Sequence, residues 1–288
     1  CQYRATGQQG SAPVDNDDRT AFADLTFAMP RLAELVSSPW SMSYGRSIEA
    51  MPGVIAPDAH VEFVFQTGEP CAMRLAEGRL LPSPRAMIYA QRHGTLTLVP
   101  MGANEILAFR TIPAVACVIL GRPLTDCWDR PLDLTDLIGP EADRLLDRLA
   151  GAPPESRGEY LESWLISRLN AWGPEHERNL RLQRALLWRF REESVATLAD
   201  EIGVTVRTLR RHFAAHAGLS PKQLSMSGRI LRACACLSDR RETGIAEVAL
   251  RVGFGDQAAF TNAFRHYVGM TPAQLRAEPI VHCERIGR

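Results

Sequence analysis

The chain is poor in lysine, in paired cysteines and in long apolar runs, and each shortage excludes something. Lys222 is the only lysine among 33 Lys plus Arg residues, so arginine is the default cation and a lone surface arginine says little. The longest apolar run, Ile112 to Leu120, is interrupted by Pro113 and falls far short of the roughly 20 residues a membrane-spanning helix needs. No membrane partner is expected. The opening CQYRATGQQGSAPVDNDDRT has no apolar segment and is therefore not an intact signal peptide; residues 1–20 read as a disordered tail. Cys1 with no Met before it fits either the lipid-modified end of a bacterial lipoprotein or a truncated sequence, and truncation is the expectation. The seven cysteines form no CxxC pair and no Cys/His array at zinc-site spacing. They read as reduced, mostly buried thiols of a cytoplasmic protein that carries neither metal nor cofactor.

What is present points to two units. At 288 residues, 45% hydrophobic and 23% charged, the chain can bury two cores of ordinary domain size. Its zero net charge hides a division. From Leu180 onward there are 17 Arg plus Lys against 10 Asp plus Glu, whereas the preceding part has 16 against 23. A basic C-terminal third on an acidic remainder admits a nucleic-acid partner.

Within that basic third the chain repeats itself. GVTVRTLRRHFAAHAGLSPKQLSM, residues 203–226, aligns with GFGDQAAFTNAFRHYVGMTPAQLR, residues 253–276. Gly203 matches Gly253 at an offset of 50; Phe213 and Phe264, Gly218 and Gly269, Pro221 and Pro272, and Leu224 and Leu275 match at 51. A short amphipathic helix precedes each first Gly, in LADEIG and EVALRVG, and a second helix follows it, which is a helix-turn-helix written twice. Gly203 and Gly253 suit a turn with positive φ. Thr205 and Asp256 can cap the second helices. Leu209 with Phe213, and Phe260 with Phe264, turn one face of each toward a core. Gly218 and Gly269 close those helices, and Ser220-Pro221 and Thr271-Pro272 open the next ones. PKQLSMSGRILRACACL between the copies places Leu224, Ile230, Leu231, Cys234 and Leu237 on one stripe of a linking helix.

Residues 195–276 resemble the DNA-binding domain of the AraC/XylS family of bacterial transcription regulators. The likeness runs through LADEIGVTVRTLRRHFAAHAGLSPKQL, an arginine of GRILRACACL, Ile245, Ala249 and GFGDQAAFTNAFRHYVGMTPAQLR. It implies that the second helix of each unit enters the major groove and that two tethered units reach successive grooves about 34 Å apart. Arg207, Arg210 and Arg211 share the outer face of the first such helix; the resemblance makes them base contacts, and guanidinium suits guanine O6 and N7. Their other reading is a solvated arginine face. Thr205, Thr208 and Ser220 are phosphate candidates. The second helix offers Gln257, Ala258, Ala259, Thr261 and Asn262, none charged, and Gln257 and Asn262 are either adenine readers or neutral surface. Arg265 and His266 would help it hold the backbone. The expectation is an asymmetric reader in which the first unit discriminates bases. His212 and His216 stand at a zinc-compatible i,i+4 spacing, but no third ligand joins them and His266, so no metal is expected there.

The N-terminal half reads as β-structure. SMSYGRSIE, HVEFVFQTG, RAMIYAQRHG, TLTLVPMG, ILAFRTI and AVACVIL are short apolar or alternating segments set off by Gly and Pro, which suggests a small barrel or sandwich. GPEADRLLDRLAG and SRGEYLESWLISRLNAW follow as amphipathic helices divided by the APPES loop, with faces that could pair with a second subunit. PDAHVEFVF and LAFRTIPAVACVILGRPLTDCWDRPLDLTDLIG resemble the N-terminal domain of a subset of the same family, with Ala59 where that pattern carries Gly and IPAVA where it carries a Pro-Gly-Gly run. The resemblance implies a domain that binds a small effector or makes dimers. Trp40, Tyr44, His60, Glu62 and Tyr89 are the candidates to line an effector pocket, together with Phe63 and Phe65; the competing role of the aromatics is core. His60 and Glu62, two apart on a strand, would suit half of a cupin-type metal centre but read more simply as a polar strand face.

The fold expectation is α+β: a tail to residue 20, a cupin-like β-barrel or sandwich with trailing helices over 21–173, and an all-α domain over 174–288. The latter holds the first unit at 195–218, the linker at 221–238 and the second unit at 245–269. The functional expectation is a sequence-specific transcription regulator, an effector-responsive activator rather than an enzyme. Its partners would be promoter DNA, a small effector, RNA polymerase and a second copy. The alternatives are an effector-independent regulator and a DNA-binding protein with an enzymatic N-terminal domain, cupin-type or alkyl-transferring, for which Cys71 in GEPCAM is the nearest thing to a nucleophile.

Overall fold

The computed structural model describes residues 21–24, 27–44, 53–55, 60–74, 79–90, 96–189, 195–201, 203–238 and 244–277; the expected tail, residues 1–20, lies outside them. Strand β1 (Ala21–Asp24) leads to α1 (Pro30–Leu35), β2 (Ser37–Tyr44), β3 (Gly53–Ile55), β4 (Val61–Gln66), β5 (Ala72–Arg74), β6 (Leu80–Pro82), β7 (Ala86–Ala90), β8 (Leu96–Val99) and β9 (Asn104–Thr111). Helix α2 (Pro113–Leu120) follows, then β10 (Arg130–Asp133), α3 (Leu134–Ile138), α4 (Glu141–Gly151), α5 (Pro154–Arg168), a 3-10 turn at Leu169–Ala171 and α6 (Pro174–Arg189). The remaining helices are α7 (Val195–Glu201), α8 (Val206–Ala217), α9 (Pro221–Ser238), α10 (Ile245–Arg251), α11 (Gln257–Val268) and α12 (Pro272–Ala277).

The described strands form two antiparallel sheets, one of six strands in the order β1-β2-β9-β4-β7-β10 and one of four in the order β3-β8-β5-β6. They pack as a sandwich and do not close into a barrel. Strands β4 and β7 are buried at every position, because each face of the larger sheet is covered. On one face Val61, Phe63, Phe65, Ile88, Leu107 and Phe109 meet the helical layer, where the Trp164 ring of α5 stands edge-on to Phe63 and Phe65. On the other, Trp40, Val64, Met87, Tyr89, Ile106 and Ala108 meet Met73 and Leu98 of the smaller sheet and Cys71 just before β5. The N-terminal half thus has three layers, and strands covered twice read as nearly continuous apolar runs.

One segment departs from its sequence reading. AVACVIL, expected as a strand, is helix α2, bounded by Pro113 in its first turn and by Gly121 in the left-handed conformation at φ 67°. A run of apolar residues does not distinguish a buried strand from a buried helix; the proline and glycine at its ends decide it here. Seven of its eight residues are buried. It packs against α5, α6 and α8, and the buried side chain of Gln183 on α6 accepts a hydrogen bond from its Ala114 N–H at 2.7 Å. The expected APPES loop is likewise shorter, since α5 already begins at Pro154.

The hydrophobic core that starts on the larger sheet runs through α2 and on into Leu209, Phe213 and Ala217 of the first helix-turn-helix unit, and into Leu219 and Leu224 at the start of the linker. The second unit has a core of its own, built from Ile230, Cys234, Val248, Phe260, Phe264 and Leu275.

Candidate nucleic-acid interface

The two units are built by the same local chemistry. In the first turn Gly203 has φ 69° and the next residue, Val204, donates its N–H to Ala199 O at 2.9 Å; in the second Gly253 has φ 86° and Phe254 donates to Ala249 O at 2.9 Å. A residue with a Cβ is disfavoured at such angles, which is why glycine recurs there. The second helix of each unit, α8 and α11, begins on a side-chain cap: Thr205 Oγ1 accepts from Thr208 N at 3.1 Å, and Asp256 Oδ1 accepts from Ala259 N at 2.7 Å. Each ends on a left-handed glycine, Gly218 at φ 63° and Gly269 at φ 84°. The helices that follow open with reciprocal capping boxes. Ser220 and Gln223 exchange bonds at 2.9 and 3.2 Å, and Thr271 and Gln274 do so at 2.8 and 3.2 Å. The sequence reading has the caps but not the glutamines that complete them.

Burial then selects the outward face. Leu209 and Phe213 are buried in α8, and Arg207, Arg210 and Arg211 are exposed. Three guanidinium groups therefore stand on one surface of a helix fixed from behind. Thr208 is half-buried, and the Thr205 and Thr208 hydroxyls lie 3.0 Å apart, so both first serve the helix start. In α11 Phe260 and Phe264 are buried; Gln257, Ala258, Ala259, Asn262, Arg265 and His266 are exposed, and Thr261 is half-buried. The linker α9 carries a feature absent from the sequence reading of the site. Its Arg229 donates from Nε to Val252 O at 2.9 Å and from Nη2 to Gly253 O, and its guanidinium lies 3.9 Å from the centre of the Phe254 ring. The second turn is thus clamped by the helix that precedes it.

The effector candidates divide. Trp40, Glu62 and Tyr89 lie buried on the inner face of the sandwich, Glu62 paired in register with Tyr89 on one side and Arg110 on the other. Arg110 was not among the candidates; alternation along β9 places it two residues beyond Ala108, and its Nη2 lies 3.7 Å from Glu62 Oε2. Burial pushes the Tyr89 phenol above its ordinary range, with Asp129 and Glu62 adding to the shift. His60 is half-buried just before β4, Tyr44 ends β2 with its side chain outside the described residues, and Phe63 and Phe65 belong to the opposite, helix-facing core. His212 likewise has no described side chain. Cys71 is buried in a polar cluster: its N–H donates to Gln66 Oε1 at 2.7 Å, and Asn104 Nδ2 stands 3.7 Å from its sulfur. Burial raises its thiol to about 11, the opposite of what activates a nucleophile.

The sequence profile of a helix-turn-helix domain matches residues 198–278. The transcriptional activator RhaS of Enterobacter sp. (strain 638) is 33% identical over 100 residues, which is 33% of this chain and 36% of the relative. RhaS of Salmonella arizonae is 28% identical over 116 residues, 39% of this chain and 41% of the relative. The chain therefore spans well under half the length of these curated relatives. Among solved structures, ToxT from Vibrio cholerae overlays 84% of this chain and 98% of its own at 12% identity and a TM-score of 0.44. An AraC-type DNA-binding regulator from Chromobacterium violaceum overlays 37% of this chain and 99% of its own at 24% identity and a TM-score of 0.33. With both units, the linking helix and the repeated caps in place, residues 198–278 form a tandem helix-turn-helix domain similar in sequence to a segment of the RhaS activators.

Proposed function

We propose that this protein is a sequence-specific transcription regulator, acting as an activator, in which residues 174–288 read promoter DNA and residues 21–173 form an effector-responsive sensor. The observation that carries the reading is the exposed set Arg207, Arg210 and Arg211 on a helix whose other face is locked by Leu209 and Phe213, within a tandem of two such helices. Arginines held this way suit bidentate bonds to guanine, each worth about 1–3 kcal/mol of discrimination. Gln257 and Asn262 are the base-reading candidates of the second helix, with Ala258, Thr261 and Arg265 beside them and Thr205 and Thr208 on the phosphates.

The relatives matched over the reader are activators by name, which supports activation and contact with RNA polymerase. The inner face bearing Trp40, Glu62, Tyr89 and Arg110 is the place proposed for a small effector, and the exposed faces of α4 and α5 for a second copy. No helix of the described residues is long and apolar enough to cross a membrane. The proposed DNA partner supports a cytoplasmic location. The enzymatic alternative loses its one candidate nucleophile to the burial of Cys71.

Selection of bound DNA from a random pool, with and without cell metabolites, tests the reading. A motif with two patches one helical turn apart is expected, sharpened or weakened by a metabolite; a pool that stays random refutes it. Replacing Arg210 and Arg211 by Ala should erase preference in one patch, with a loss of roughly 30-fold or more in specific over nonspecific affinity. Replacing Gln257 and Asn262 should cost less. Equal losses would defeat the asymmetry.

A further inference from the structure

The end of α8 is held from outside its own unit. The Ala217 carbonyl accepts a hydrogen bond from the Trp128 indole N–H at 3.0 Å, and the His216 carbonyl accepts one from the Cys117 thiol. A helix end leaves four carbonyls without intrahelical partners, and here the N-terminal region satisfies two of them. The fit is as close as the bonding. A Cβ on Gly218 would lie 2.7 Å from the backbone oxygen of Leu124 and 2.8 Å from the side-chain Nε1 of Trp128, both closer than a Cβ approaches another heavy atom.

Trp128 is itself fixed from the sandwich. It is buried, it bridges to Ala90 at the end of β7, and the next residue, Asp129, donates its N–H to Ala90 O at 2.7 Å. Asp129 adopts φ 62°, the only positive φ outside glycine among the described residues. Such a conformation persists only where the surroundings fix it. Ala90 directly follows Tyr89, whose ring faces the interior between the sheets. A short covalent and hydrogen-bonded path therefore joins the inner face of the sensor to the end of one recognition helix. The second recognition helix ends instead on Gly269, which is exposed, and its buried residues Phe260, Phe264 and Val268 join a cluster that includes no described residue of the N-terminal region.

We propose that Trp128 is the positioning residue of the first recognition helix, so that the sensor domain sets how α8 is presented while α11 is presented independently of it. The proposal rests on α8 being a DNA-reading helix. Through Ala90, any rearrangement at Tyr89 is passed to the Ala217 carbonyl.

The test uses the full chain with Trp128→Phe, which keeps an aromatic ring and removes the donor. Gly218→Ala is a second variant, and Trp172→Phe a control that loses the indole bond to Glu177 elsewhere. In the absence of DNA, hydrogen exchange of the last turn of α8 should quicken about fivefold, the worth of one hydrogen bond, with α11 and the control unchanged. On DNA selected by the wild type, protection should weaken about fivefold over the first half-site alone. Equal quickening in both recognition helices, no change in α8, or equal loss at both half-sites overturns the proposal. A wild-type chain with no base preference overturns the functional reading instead, and the exchange comparison still decides the positioning.

Discussion

The two helix-turn-helix units share turns, caps and closing glycines, yet they are held by different parts of the molecule. The first is an extension of the N-terminal core: Leu209, Phe213 and Ala217 join a cluster continuous with Phe63 and Ile119, and α8 packs on α2. The second is held by the linker, through its separate core and through Arg229 over Phe254. Copies with the same local plan thus acquire different neighbours. A repeat therefore specifies how each unit is built, whereas its mounting depends on what lies beside it.

The largest effects should come from the cores. Phe213→Ala and Phe264→Ala should each cost about 3–5 kcal/mol, but with different reach. Calorimetry should show Phe213→Ala lowering the transition of the sandwich together with the first unit. Phe264→Ala should split off an early transition confined to the second. A single shared transition in both variants would mean that the two cores melt as one.

The closing glycines separate the units next. Each pays for a Cβ at positive φ, on the order of 1–2 kcal/mol, but Gly218→Ala also drives that Cβ into Leu124 O and Trp128. Denaturant melts should place Gly218→Ala about 3 kcal/mol below the wild type, and Gly269→Ala nearer 1. Parity would remove the steric half of the comparison.

Arg229→Lys should do less. It keeps the charge but cannot fork onto the Val252 and Gly253 carbonyls, so about 1 kcal/mol is expected, read as faster hydrogen exchange in α10 and α11 with α8 unaffected.

The smallest effect is a pH dependence. Burial raises the Cys71 thiol to about 11 and the Cys117 thiol to about 12, from an ordinary 9.0. The folded chain holds these protons more tightly than the unfolded one. Their contribution is therefore complete below pH 9 and is lost as pH rises through the folded values. Cys117→Ala should flatten part of that alkaline decline in stability, measured by thermal melts from pH 8 upward.

Much of the tandem was legible because it rests on short-range chemistry. The φ of Gly203, the Thr205 cap and the burial of Phe213 each follow from residues within a turn or two of one another. The N-terminal half was legible only in part. Short apolar or alternating segments set off by Gly and Pro located β4, β7 and β9, but a strand covered on both faces and a helix covered all round present the same apolar run, so Ala114 to Leu120 was read as the wrong element. Arg110 was missed because its importance depends on a strand 48 residues earlier that brings Glu62 beside it. Trp128 was missed because nothing near it in sequence announces a bond to Ala217, 89 residues away.

The amino-acid order alone determined the duplication, the turns, the caps and the arginine face of α8, since each is settled by backbone angles and hydrogen bonds spanning a handful of residues. Only the tertiary structure decided that one copy is fastened to the sandwich and the other to the linker. That choice is made by buried surfaces and carbonyl partners that meet after distant segments have packed, and identical local plans cannot encode it.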